Sequence, residues 1–158
     1  MPAEPMHHEP VQDEPVHDAP MRGEEILTEA RRWIGARWRH QGRGPAGVDC
    51  IGLLIVVADG LGVPHHDVTG YDRRATGTRL LAEFARALDP VALPDAQPGD
   101  VLVFAETTYP CHAGFLTARH GTLHLLHAHA LRRCVLEEPL IEPWLSRRRA
   151  AWRIPGVV

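Results

Sequence analysis

Lysine is absent from this chain: all 17 basic residues are arginine. They are set against 20 acidic residues, giving a net charge of −3. That balance offers no long-range attraction for phosphates, so no nucleic-acid partner is expected. The arginine bias itself reads as genome composition, and the run at 147–149 as a solvated surface. Cysteine is scarce. Cys50, Cys111 and Cys134 are an odd number, which leaves at least one thiol free, and no pair has the CxxC spacing of a zinc knuckle or redox motif. Long apolar runs are also missing. The longest, residues 51–58, is far short of the roughly 20 residues needed to cross a bilayer, so no membrane insertion is expected. The first twenty residues lack the cationic start and apolar core of a secretion signal, and the expectation is a soluble protein made in the cytoplasm.

A length of 158 residues with 44% hydrophobic composition suffices for one compact domain with a core. Residues 1–22 carry Glu4-Pro5, Glu9-Pro10, Glu14-Pro15 and Ala19-Pro20 at five-residue intervals. Proline blocks helix and ladder hydrogen bonds, so this segment reads as an extended arm, with His7, His8 and His17 as solvated tail histidines. The domain is then 23–158. Ile26, Leu27, Ala30, Trp33 and Ile34 share one helical face and predict a first helix over 24–34. A glycine-rich loop follows to Val48. Asp49 is a good N-cap for a second helix ending near Gly60, apolar on nearly all sides and therefore buried. A third helix spans 78–88, closed by Asp89-Pro90.

After Pro98-Gly99-Asp100 the pattern alternates. Strands are expected at 101–105, at 112–118 and 122–130 across Arg119-His120-Gly121, at 134–136 and at 151–154, with a helical turn near Trp144. Helices first and a strand meander afterwards describe an α+β domain.

Cys50 stands at the first turn of the buried helix, where free backbone N–H groups and the helix dipole favour a thiolate and later an oxyanion. Taken alone, a cysteine among aliphatic residues is usually packed core. A cysteine nucleophile needs a base distant in sequence and near in space, and His112 opens a strand. His127 on the next strand can orient that imidazole, with His129, which points the same way, as the alternative. Taken alone, each of these histidines is more often a polar strand position facing solvent. Cys111, next to His112, is expected on the opposite face and is not counted as catalytic.

Taken together, these residues match a family. Trp33-Ile34-Gly35, Trp38-Arg39-His40-Gln41-Gly42 and Asp49-Cys50-Ile51-Gly52-Leu53 resemble the nucleophile region of NlpC-type cell-wall cysteine peptidases, which are papain-like. Pro98-Gly99-Asp100-Val101-Leu102-Val103-Phe104 with His112-Ala113-Gly114 resembles the base strand, and Leu126-His127-Ala128 the third catalytic position. The C-terminal part, from Glu137-Glu138 through Trp144 to Trp152-Arg153-Ile154-Pro155, is similar to the branch found in phage tails and phage-like gene-transfer particles.

The resemblance implies a nucleophile helix packed on an antiparallel sheet and hydrolysis of the γ-D-glutamyl–diamino acid amide in peptidoglycan stem peptides, without cofactor or metal. It implies Cys50, His112 and His127 as catalytic residues, with Asp49 and Trp38 toward the substrate. It also raises tail or particle proteins as partners and delivery to the wall in a phage-like particle. Asp49 has two readings, helix cap or partner of a substrate amine. Trp38 departs from the family, which usually has a tyrosine there whose hydroxyl lies near the oxyanion; the indole N–H is the candidate substitute. Two rival readings stand beside the enzyme. One is a wall-binding or structural module of the same fold, the other a metal protein using His120, His124, His127, His129 and Cys134. Strand alternation opposes the second, because His124 points away from His127 and His129.

Overall fold

The computed structural model describes residues 20–73 and 77–158. The Glu-Pro repeats up to Ala19, with His7, His8 and His17, lie outside the described residues. Met21 already forms a bridge with Val157, and its carbonyl accepts the Val158 N–H at 3.0 Å.

Helix α1 (Gly23–Arg31) buries Ile26, Leu27 and Ala30. It stops three residues before the apolar pattern ends, because the chain turns so that Gly35 N–H, at φ 90°, can donate to Val135 O at 2.9 Å. Within the expected loop, strands β1 (Arg43–Gly44) and β2 (Gly47–Val48) form a minimal antiparallel hairpin. Helix α2 (Cys50–Leu61) starts where expected. The Asp49 carboxylate accepts Gly52 N–H at 2.8 Å, and Gly62 ends the helix in the left-handed region at φ 66°. Helix α3 (Arg79–Ala87) buries Phe84.

Asp89-Pro90 does more than close α3. It opens strand β3 (Asp89–Val91), an edge position where the missing N–H of proline costs nothing. After a 3₁₀ turn (Leu93–Asp95) come β4 (Val101–Ala105), β5 (Pro110–Arg119), β6 (Thr122–His129) and β7 (Cys134–Pro139). Helix α4 (Trp144–Arg147) and strand β8 (Arg148–Arg153) complete the order. The β5–β6 turn places His120 and Gly121 at φ 50° and 77°, the positive values that match the twist of a tight hairpin.

Among the described residues one six-stranded antiparallel sheet runs β3-β8-β4-β5-β6-β7. Side chains alternate between two cores. Val101, Val103, Ala113, Phe115, Leu126 and Ala128 pack with residues of α1 and α2. Leu102, Phe104, Leu116 and Leu125 pack on the other face with Leu140 and Trp144. The molecule is therefore α+β, with the Cys50 helix on an antiparallel sheet. The start of α2 and the His127 side chain therefore lie on opposite faces of the sheet, and His112, at the start of β5, is the histidine that borders the cleft lined by Cys50.

Candidate active site

Cys50, Cys111 and His112 border a single cleft, together with Trp38, Asp49 and Tyr71. Cys50 is partly accessible and carries no disulfide. The backbone amides of Ala113 and Ile51 donate toward its sulfur, so the nucleophile candidate sits beside the peptide that follows His112. These amides favour the thiolate, but burial and the adjacent Asp49 carboxylate oppose it more strongly, and the thiol is pushed up to about 12.

His112 is held neutral. Burial, then the proximity of His127 and His129, lowers it well below the ordinary histidine range. Its Nε2 lies 2.7 Å from His127 Nδ1. His127, completely buried, is lowered to about 3 by burial and then by His129. His127 Nε2 lies 2.8 Å from Glu138 Oε1, which also accepts the Trp144 indole N–H at 3.0 Å. Of the two candidates for the third position, His127 is the one against His112. His129 sits beside it, ring centroids 5.0 Å apart, with its Nδ1 accepting Arg132 N–H at 3.4 Å. Among the described residues no hydrogen bond joins His112 to Cys50.

Asp49 is filled by the protein itself. It is 3% exposed and accepts from Gln41 N–H at 2.7 Å, Gly52 N–H at 2.8 Å, the Tyr71 hydroxyl at 2.7 Å and Arg43 at 3.3 Å. With both oxygens occupied, the geometry supports the helix-cap reading and offers a substrate amine no free lone pair. Trp38 does border the cleft, stacked near His40 and beneath the Arg73 guanidinium at 4.8 Å.

A phenol absent from the Trp38 position is present at Tyr71, which sequence reasoning passed over. Its hydroxyl accepts from Arg43 at 3.0 Å while donating to Asp49. It lies in an irregular segment after α2, where no periodicity singles out one residue. Cys111 borders the cleft as well. It does alternate with His112, but that puts it on the cleft side, where its proximity pushes the Cys50 thiol further up.

The metal reading changes composition. His127, His129 and Glu138 bring three ligand atoms within 4.8 Å of one another. His124 instead turns to Thr122 O at 3.0 Å, and Cys134 stands opposite His129 in the β6–β7 register. The His127–Glu138 distance of 2.8 Å is that of an N–H···O hydrogen bond, and the cluster reads first as a hydrogen-bond chain. Among the described residues no helix is long and apolar enough to cross a membrane.

Comparison with known proteins gives the arrangement its context. No curated protein is a significant match to the chain. Among solved structures, an NlpC/P60 family protein from Bacillus cereus ATCC 10987 superimposes with a TM-score of 0.66 at 16% identity, covering 86% of this chain and 41% of its own. A lipoprotein-like NLP/P60 family protein from Staphylococcus aureus gives 0.63 at 21%, covering 88% and 45%. The chain thus spans less than half the length of either. The NlpC/p60 domain of the peptidoglycan hydrolase SagA gives 0.62 at 20%, covering 85% of this chain and 100% of that domain. At these identities the likeness establishes the fold. Family membership comes from the sequence profile of the NlpC/P60 family, which matches residues 35–150 and so takes in the Cys50 helix, the His112 strand and the His127 strand. The chain belongs to the NlpC/P60 family.

Proposed function

We propose that this domain is a cysteine peptidase that hydrolyses amide bonds in peptidoglycan stem peptides, with Cys50 as nucleophile, His112 as base and His127 orienting the base. The observation that carries the reading is that Cys50 and His112 border one cleft while His112 is backed by His127 at 2.7 Å. Because thiol and imidazole are both neutral at rest, the proton moves from sulfur to His112 as sulfur attacks the amide carbonyl. The Cys50 N–H, in the open first turn of α2, receives the developing oxyanion. His112 then protonates the leaving amine, and water releases the acyl group from the thioester.

The bond is the γ-D-glutamyl–diamino acid amide, on the resemblance of the Asp49–Leu53 and His112–Gly114 segments to that family. SagA, a peptidoglycan hydrolase of the same fold, supports the substrate class. The C-terminal resemblance supports synthesis in the cytoplasm and delivery to the wall by a phage-tail or gene-transfer particle. A second reading is a wall-binding module without turnover; the observation favouring it is the upward push on the Cys50 thiol.

Digestion of purified peptidoglycan, with released fragments identified by mass, separates the two. Wild type should release fragments cut at that amide, and Cys50→Ala and His112→Ala should release none while keeping their circular dichroism. Undiminished release by Cys50→Ala ends the peptidase reading, and no release by wild type leaves the binding module.

A further inference from the structure

His127 is itself held from behind. Three contacts lie in series: His112 Nε2 to His127 Nδ1 at 2.7 Å, His127 Nε2 to Glu138 Oε1 at 2.8 Å, and Trp144 Nε1–H to the same Oε1 at 3.0 Å. A neutral imidazole has one N–H and one lone pair, while a carboxylate only accepts. Burial keeps both histidines neutral, so each ring brings a single proton to this chain. Glu138 can be satisfied by His127 only if that ring carries its proton on Nε2. His127 Nδ1 is then a lone pair, which in turn requires the proton of His112 on Nε2. The nitrogen left over is His112 Nδ1, with a free lone pair. Without an acceptor behind His127 the opposite order is equally available: His127 donates from Nδ1, His112 accepts at Nε2, and the His112 proton occupies Nδ1, where it disables the base.

We propose that Glu138 is a positioning residue that sets the direction of this proton chain and so leaves His112 Nδ1 as the base for Cys50. The inference rests on the peptidase reading for its consequence in turnover, though the tautomers themselves exist without substrate.

The surroundings support the assignment. Glu138 lies on the same face of the sheet as His127, since β7 pairs Leu136 with His127 and Glu138 with Leu125. Its neighbour Glu137 points to the other face and is engaged by Arg31 at 3.0 Å and Thr117 at 2.6 Å. Two adjacent carboxylates therefore have separate tasks. Trp144 walls the chain, with its ring centroid 5.3 Å from His112 and 4.9 Å from His127, and its donated N–H holds the Glu138 oxygen in place. His129 Nε2 is 4.0 Å from Glu138 Oε1, beyond hydrogen-bond reach, which leaves His127 as the nearer claimant.

The test reads the tautomers directly. In protein labelled with ¹⁵N histidine at neutral pH, wild type should show His112 and His127 both protonated at Nε2. In Glu138→Leu the two rings should shift partly or wholly to the Nδ1–H form, and kcat on a stem peptide should fall about 100-fold with KM little changed. Glu138→Gln keeps an oxygen acceptor and should restore the Nε2–H order and most of the rate. A wild-type His127 protonated at Nδ1 overturns the proposal without reference to any variant, as does a folded Glu138→Leu with unchanged tautomers. If wild type has the stated tautomers but cuts no peptidoglycan, the peptidase reading fails and the chain stands. If Glu138→Leu does not fold, wild type and Glu138→Gln still decide the order.

Discussion

A sulfur at a helix N-terminus invites the inference of a standing thiolate, yet at Cys50 the competing terms run the other way. The Ala113 and Ile51 amides lower the thiol, while burial and the Asp49 carboxylate raise it further, to about 12. Asp49 is committed to that place by its other duties: it caps α2 and ties Gln41, Arg43 and Tyr71 to the helix start. The residue that organises this end of the cleft therefore also raises, after burial, the thiol proposed as nucleophile. A thiol at about 12 has roughly one part in ten thousand as thiolate at pH 8, against about one in ten for a thiol at the ordinary 9.0. Alkylation of Cys50 by iodoacetamide, mapped by mass, should be far slower at pH 8 than in the same chain unfolded, and should climb about tenfold per pH unit from 8 to 11. A rate that levels off below pH 8 would mean a thiolate held at rest.

At the scale of elements, the site depends on how closely β5 and β6 approach. A Cβ added at Gly114 would meet His127 Cβ at 2.8 Å, Leu125 Cδ1 at 2.8 Å and Leu126 O at 3.0 Å. The glycine of the His112-Ala113-Gly114 segment thus leaves the space in which His127 sits, two residues from the His112 that it touches. Gly114→Ala should lengthen the His112–His127 contact, cutting kcat at least tenfold while the fold persists at reduced stability; crystallography of the variant and stem-peptide kinetics check this. Much of this level is legible in the sequence. The Cys50 helix announces itself through Asp49 and an unbroken apolar run, and the β5–β6 hairpin through His120-Gly121. Strand alternation alone does not separate His127 from His129, because both share a face; the resemblance of Leu126-His127-Ala128 is what favours His127. Glu138 is hidden for a related reason: β7 continues to Pro139, past the apolar alternation that ends at Leu136, and its partner lies 11 residues away on another strand. Tyr71 belongs to no periodic element. Strand β3 is concealed by Pro90, which signals a helix end more strongly than an edge strand.

For the whole molecule, holding the half-buried His112 and the buried His127 neutral ties folding to proton concentration. His112 and His127 are both lowered, His127 to about 3, so the folded state resists protons that the unfolded chain takes up near the ordinary value of 6.5. Stability is fully present above 6.5 and is lost as pH falls below it, by at most about 1.4 kcal/mol per pH unit for each histidine. Glu137, lowered to about 2 by its hydrogen bonds to Arg31, Arg119 and Thr117, adds a loss with the same sign only below its ordinary 4.5. The two windows are separable. Between pH 7 and 5 the decline belongs to the histidines, and against a total of roughly 5–15 kcal/mol it is large enough to move a urea midpoint. Wild type should lose stability steadily across that range, and His127→Gln should flatten the slope by up to one proton without removing it, because His112 still titrates. A midpoint constant from pH 7 to 5 would mean that His112 and His127 take protons as readily folded as unfolded, and that the fold does not hold them neutral.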